Sequence, residues 1–391
     1  MCLLKPSDTM DHEQGRAGRY IRQPGGYAAF IPRPLPPDPP LQLDPLRVLL
    51  SQADRALGRL DGSIQTLPNP DLFVFMYIRK EAVLSSQIEG TQSSLQDVLA
   101  AEADITGSLG PPRDVDEVLN YVSAMNHGLR RLAALPVSVR LIREIHAELM
   151  KGVRGGTLTP GELRRSQNWV GPSGSSLTEA VFVPPPPNEL PGALGDIERF
   201  LHASDDLPLL VKIGLAHAQF ETIHPFLDGN GRVGRLLITF LLCEREVLGK
   251  PVLYLSHFLK QHRNEYYDRL QAVRDRGAWE EWLEFFLRGV VSVSAEATDT
   301  ARRILLLRES HRAQITEDLG RAAANGHKVL ESLFDRPIVS VPEVQRLIDT
   351  TYPTANNLVS RLKELGIVRE ITGYARNRLF RYEPYVELFT T

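Results

Sequence analysis

Twelve consecutive residues constrain this chain most: His224-Pro-Phe-Leu-Asp-Gly-Asn-Gly-Arg-Val-Gly-Arg235, set directly before an apolar run. Glycine tolerates positive φ and lets a ligand approach the backbone closely. Gly229, Asn230 and Gly231 therefore predict a turn whose amides converge at the start of a helix over 233–248, ended by Gly249. A helix N-terminus offers unpaired N–H groups and partial positive charge, so an anion is favoured there. Pro225 stiffens the segment, and Phe226 is expected to anchor it in the core.

The side chains around this turn suggest its chemistry. Arg232 and Arg235 lie on adjacent turns of one helix, and two guanidiniums beside one anion hole suit a polyphosphate better than a single carboxylate. Asp228 supplies a hard oxygen, which fits Mg²⁺, an ion that takes few protein carboxylates and completes its shell with phosphate and water. His224 lies four residues before Asp228. An imidazole titrates near neutrality and accepts a hydroxyl proton. Together these parts describe in-line attack on a phosphoryl group, driven by positioning and electrostatics. Each has a plainer reading alone: a turn residue for His224, a helix cap for Asp228, a tight turn for the glycines, a solvated face for the arginines. For all four to hold together, each must imitate one part of a phosphate site.

The whole chain sets the frame. Its 391 residues allow two or three domains. A hydrophobic fraction of 42% and a charged fraction of 24% are those of an ordinary globular protein. A net charge of −3 creates no global positive field toward nucleic acid or acidic membranes. Cys2 and Cys243 are the only cysteines, which excludes a disulfide scaffold and a cysteine-based zinc site. Residues 1–19 lack the apolar core of a signal peptide, and the run Leu236–Cys243 is too short to span a bilayer. The expected location is cytoplasmic, with no membrane partner.

Residues 1–45 hold nine of the 28 prolines, and 20–30 reads as an ordered strap containing Tyr27 and Phe30. Helical spacing takes over from 46, with Leu46, Leu49, Leu50 and Ala53 in one stripe and Phe75, Ile78, Ala82 and Ile88 in another that stops at Gly90. Ser93 or Ser94 is placed to cap a helix carrying Leu95, Val98 and Leu99. Helices are expected to open at Asp114 and over 137–150, 190–203, 207–222, 264–276 and 279–300. Residues 157–187 differ: glycines, prolines and the β-like run 180–183 point to an exposed hairpin or flap. After Asn325-Gly326, three short helices and two β-like runs, 367–371 and 378–382, have the order of a winged helix-turn-helix.

His224–Arg235 matches the signature of the Fic (Fido) family at every defining position. The similarity extends over about residues 20–300, through Asn120-Tyr-Val-Ser-Ala, Pro160-Gly-Glu-Leu-Arg164 to Asn168-Trp-Val-Gly171, and Phe182-Val-Pro-Pro. The resemblance implies an all-α core with a short β-hairpin flap, here followed by the C-terminal winged helix-turn-helix. It divides the chain into a strap (1–45), an N-terminal helical region (46–110), a catalytic core (111–300) and a linker helix with winged helix (301–391). Most members move AMP from ATP onto a Tyr, Thr or Ser hydroxyl of a protein. By that resemblance His224 is the general base, and Asp228 holds Mg²⁺ between the α- and β-phosphates. Gly229, Asn230, Gly231 and Arg232 form the anion hole, and Arg235 meets the γ-phosphate. Tyr266 and Tyr267 match an adenosine-side pair, for which helix packing is the plainer alternative. The flap, at Thr178, Ala180, Val181, Phe182 and Val183, docks a target's main chain by strand addition, a mode that needs little sequence specificity.

Ser85-Ser86-Gln87-Ile88-Glu89-Gly90 fits the family's inhibitory pattern, and it sits N-terminal to the core, in a helix expected over about 75–90. The implied device is direct: Glu89 pairs with Arg235 and fills the γ-phosphate position, while Ser85 steadies the helix. Some relatives use this glutamate to remove AMP, so the reverse reaction and other nucleotides stay open. In the C-terminal region Arg361, Lys363, Arg369, Arg376, Arg378 and Arg381 suit phosphate contacts. Over 325–391, however, nine basic residues face eight acidic ones. A nucleotide-sensing DNA-binding regulator is therefore the rival to a transferase. A protein contact and a homodimer are further expectations.

Overall fold

The computed structural model describes residues 15–67, 69–102, 114–153, 158–172, 174–373 and 377–389. Two central helices organise it: α7 (Leu209–Ile223) and α8 (Asn230–Glu244). Every residue of α7 after Leu209 is buried. Such a helix needs neighbours on all sides. They are α4 (Val115–Leu132), α5 (Val139–Leu149), α6 (Leu190–His202), α10 (Arg263–Arg276) and α11 (Trp279–Leu319), packed against α7 or α8. Before them come α1 (Arg47–Gln65), α2 (Pro70–Ile88) and α3 (Leu95–Glu102), and α9 (Ser256–Gln261) precedes α10. Ser94 caps α3, its hydroxyl accepting from the Asp97 amide. Ser138 does the same for α5.

The connection from α7 to α8 is set by its sequence. Pro225 has no N–H and cannot extend a helix. His224 therefore ends α7 in the left-handed conformation, φ 48° and ψ 60°. Gly229, also left-handed at φ 77°, turns the chain into α8. Asn230 and Gly231 thus lie inside the first turn of α8, three residues earlier than the apolar spacing suggested.

Three expectations change in detail. The strap is a regular hairpin, β1 (Gly18–Arg22) paired antiparallel with β2 (Ala28–Pro32), with Tyr20 edge-on to buried Phe30. The described part of the flap is held by a single antiparallel bridge, Val170 to Phe182, with a 3-10 turn over Leu177–Glu179, rather than by a laddered hairpin. The Ser176–Glu179 capping box coils the chain there, and Pro184–Pro187 have no N–H with which to extend a ladder. Thr157, the expected start of the flap, lies outside the described residues. The helix carrying Ser85 starts at Pro70, not near 75.

α11 is 41 residues long and runs unbroken past Thr300. It carries the C-terminal elements: α12 (Ala323–Leu333), β3 (Ile338–Ser340), α13 (Val341–Leu347), α14 (Tyr352–Glu364), β4 (Arg369–Glu370), β5 (Leu379–Arg381) and α15 (Glu383–Glu387). Their antiparallel sheet has the order β3-β5-β4, compatible with a winged helix-turn-helix. The chain's end returns to α2: Phe389 packs on Phe73 and Tyr77, with ring centroids 6.2 and 5.6 Å apart. No helix among the described residues is long and apolar enough to cross a membrane.

Candidate nucleotide site

α2 ends against the first turn of α8. Arg235 Nη2 donates to Glu89 Oε1 at 2.7 Å and to the Ser85 carbonyl at 3.0 Å, while Nε donates to Ser85 Oγ at 2.8 Å. The Arg235 side chain is 2% exposed and that of Glu89 35%. Burial alone would raise the Glu89 pKa; Arg235 outweighs it and holds the carboxyl below its ordinary value. A Cβ at Gly231 would overlap Glu89 Oε1 and stand 3.0 Å from Arg235 Nη1. The carboxylate therefore lies directly on the helix N-terminus, where an anion gains most from the amides and the dipole.

The other motif residues surround this point. Arg232 is buried and pairs with Glu117 of α4 at 3.3 Å, with Asp228 at 3.7 Å. Asn230 is a clamp: its Oδ1 accepts from the Phe226 amide and its Nδ2 donates to the Phe226 carbonyl, both at 2.8 Å. Asp228 Oδ1 accepts from the Gly229 amide at 2.6 Å. The Asp228 side chain keeps 44% of its surface. A single half-exposed carboxylate beside an anion hole fits Mg²⁺, whose remaining ligands would be phosphate and water. Among the described residues no group of three or more His, Cys, Asp or Glu could hold a metal by itself.

Burial, then the Arg274 and Arg164 guanidiniums, push the His224 imidazole down to about 4, so it is neutral near pH 7. Its backbone is held from outside the motif. Arg164 Nε donates to the His224 carbonyl at 2.9 Å, and the Arg164 amide to the Pro225 carbonyl at 3.0 Å. Asn168 Nδ2 donates to the Phe226 carbonyl at 2.8 Å. Beneath Arg235 lie two more buried carboxyls, Glu81 and Glu221, each raised to about 7, first of all by burial.

The remaining expected residues separate. Tyr266 is buried and its hydroxyl pairs with His217 Nε2 at 2.9 Å, a packing position. Tyr267 is 38% exposed. In the flap, Thr178 and Val181 are exposed and Ala180 is half-buried, but the Phe182 and Val183 side chains are buried. The Phe182 carbonyl accepts from Val170 and the Val183 carbonyl from Phe30. Sequence reasoning assigned nothing to Glu117, Glu81, His146 or Arg274. For Glu117 and Glu81 a signal existed: each is a carboxylate on a buried stripe, Glu117 with Tyr121 and Ala124, Glu81 with Tyr77 and Ser85.

The described part of the C-terminal basic face is largely engaged. Arg361 donates to the Leu319 and Asp318 carbonyls, and Arg378 to Asn356 Oδ1 at 2.6 Å. Arg381 pairs with Glu383 at 2.6 Å and Lys363 with Glu370 at 3.6 Å. Arg369 is exposed. Arg376 lies outside the described residues.

Two family models match consecutive stretches, the Fic/DOC family N-terminal region over residues 48–130 and the Fic/DOC family over 136–242. A protein adenylyltransferase Fic of Drosophila yakuba is 29% identical over 187 residues, 47% of this chain and 33% of that protein. Its counterpart in Aedes aegypti is 33% identical over 36% of this chain and 25% of that protein. A probable protein adenylyltransferase of Aquifex aeolicus is 31% identical over 45% of this chain and 51% of that one. The chain thus spans between a quarter and about half of the length of these relatives. In fold it is similar to a Fic family protein of Desulfovibrio desulfuricans G20, with TM-score 0.58 and 19% identity over 87% of this chain and 96% of that one. It is also similar to a Fic domain containing signaling protein of Bacteroides thetaiotaomicron, with TM-score 0.53 and 19% identity over 65% and 97%. The complete motif at the N-terminus of α8, the two matching models and the similar helical fold agree: over residues 48–130 and 136–242 the chain is similar to the Fic/DOC family.

Proposed function

We propose that this protein moves AMP from ATP onto a hydroxyl of a protein, and that the conformation described here is the restrained one. The observation that carries the reading is the Glu89 carboxylate at 2.7 Å from Arg235, seated on the first turn of α8. A side chain there stands where the terminal phosphate of a nucleotide is best held. The relatives named as adenylyltransferases support the choice of AMP as the transferred group.

In the proposed reaction a target hydroxyl oxygen bonds to the α-phosphorus of ATP. The bond from that phosphorus to the bridging oxygen breaks, and diphosphate leaves. The hydroxyl proton goes to the neutral imidazole of His224. The α8 amides at Asn230 and Gly231 receive the phosphate oxygens, with Arg232 beside them and Arg235 on the γ-phosphate. Asp228 would hold Mg²⁺, which supplies charge neutralisation on the polyphosphate. With Glu89 on Arg235, the triphosphate is displaced and its α-phosphorus no longer faces His224. Target docking is proposed along 178–181, where Val181 is 63% exposed beside Trp169 at 40%. Phe182 and Val183 serve the packing of that segment. A DNA contact through the C-terminal elements has less support, because most of the described basic residues there already have internal partners.

The test uses Glu89→Gly with ATP labelled at either the α- or the γ-phosphate, in cell lysate. Label from the α-position enters protein, label from the γ-position does not, and His224→Ala in that background abolishes transfer. Incorporation of the γ-label, or persistence without His224, overturns the reading.

A further inference from the structure

One buried histidine of the core has no part in the chemistry above. His146 on α5 stacks face to face on Phe226, with ring centroids 3.7 Å apart and planes 3° apart. Its Nδ1 lies 2.8 Å from the Gly161 amide, and its Nε2 lies 3.1 Å from the Asp228 carbonyl. The tautomer follows from the partners. An amide N–H only donates, so Nδ1 is the acceptor. The ring proton therefore sits on Nε2 and is donated to Asp228. The residue next to Asp228 leaves little slack: a Cβ at Gly229 would stand 2.9 Å from Met150 Sδ and 3.5 Å from the imidazole.

We propose that His146 is a positioning residue for Asp228, its Nε2–H fixing the Asp228 carbonyl so that the carboxylate is held at the mouth of the anion hole. The inference rests on the adenylyl-transfer reading, in which Asp228 holds Mg²⁺ on ATP. The bridge has two ends with different tasks. The Nδ1 end ties the 158–164 segment to α5, and the Nε2 end orients the residue that meets the metal. Groups that orient a metal ligand in this way typically change metal affinity or activity by about 10- to 100-fold when removed.

Two substitutions separate the two ends. In Gln the amide reaches the place of Nε2, so His146→Gln keeps a donor for Asp228 and gives up the Gly161 bond. In Asn the amide reaches only the place of Nδ1, so His146→Asn keeps an acceptor for Gly161 and gives up the Asp228 bond. Both lose the ring stacked on Phe226, so that loss cancels between them. ATP binding is measured by calorimetry in the Glu89→Gly background, with Mg²⁺ and with EDTA. The readout is the ratio of the two affinities, and thermal melting monitors the fold.

The expected result is that His146→Asn lowers the Mg²⁺-dependent gain in ATP affinity by about tenfold, while His146→Gln keeps most of it. Affinity in EDTA changes little in either. An equal gain in both variants, or an equal loss in both, overturns the assignment, since the Nε2 bond alone would then not set Asp228. If Glu89→Gly with His146 intact shows no Mg²⁺-dependent gain, the metal-dependent reading of Asp228 fails instead, and the two failures are distinguishable.

Discussion

Gly231→Ala brings two opposing effects onto one atom. Alanine inside a helix is more stable than glycine by about 0.5–1 kcal/mol. The added methyl, however, would overlap Glu89 Oε1. Glu89 ends a flexible side chain, so it can swing away, but only by leaving Arg235. A hydrogen bond to a charged group contributes about 1.5–3 kcal/mol. The Glu89 side chain is 35% exposed, so solvent screening places this pair at the low end. In the wild-type background the substitution should therefore be destabilising by about 0.5–1 kcal/mol. In a Glu89→Gly background the conflict is gone and the helix gain returns, limited by Arg235 Nη1 at 3.0 Å. The sign of the effect should reverse between the two backgrounds. Urea unfolding of the four proteins forms a double-mutant cycle, with an expected coupling of about 1.5 kcal/mol. Coupling near zero would refute the idea that Gly231 exists to let an anion onto the helix. The same methyl should stop AMP transfer in the Glu89→Gly background, because phosphate needs the place that the carboxylate held.

Three other outcomes follow from the buried groups. Glu81 and Glu221 are raised to about 7 from an ordinary value of 4.5. Between those values the native protein binds more protons than the unfolded chain, so their contribution to stability falls as pH rises through about 4.5 to 7. Glu81→Gln and Glu221→Gln should flatten that part of the stability–pH curve; an unchanged slope would mean that the two carboxyls titrate normally. His224, lowered to about 4, stays unprotonated well below the usual range. AMP transfer by Glu89→Gly should then hold nearly constant from about pH 8 down to about 5.5, and a decline centred near 6.5 would contradict a buried neutral base. Phe389→Ala removes a ring packed on Phe73 and Tyr77 and should cost about 3 kcal/mol in chemical unfolding, lowering a single cooperative transition. A loss confined to a separate early transition would show that the C-terminal elements do not fold onto α2.

Much of the site was legible because its chemistry is local in sequence. The turn, the imidazole, the carboxylate and both arginines lie within His224–Arg235, and Ser85 and Glu89 share one helix end. Periodicity also located the helices, since α4 and α5 each bury one stripe and expose the other. What was not legible depends on distant partners. Whether Arg232 faces an anion or Glu117 depends on how α4 crosses α8. The Tyr266 hydroxyl is committed by His217, a residue 49 positions away. The run 180–183 is β-like in composition, yet a ladder needs N–H groups that the four following prolines lack. The hairpin appeared instead in the strap, where Tyr20 and Phe30 pair across two short strands. For His146 nothing in sequence distinguished a bridging imidazole from an ordinary core residue.

The competition between Glu89 and the nucleotide for Arg235 is the centre of this reading, and one measurement meets it directly. Labelling from α-labelled ATP is compared for wild type and Glu89→Gly across a range of ATP concentrations. Removing a restraint of about 1.5 kcal/mol should raise labelling by about tenfold when ATP is limiting. Glu89→Gln, which keeps the shape and loses the charge, should fall between the two. Equal labelling by wild type and Glu89→Gly at every ATP concentration would contradict the claim that the carboxylate on α8 restrains the enzyme.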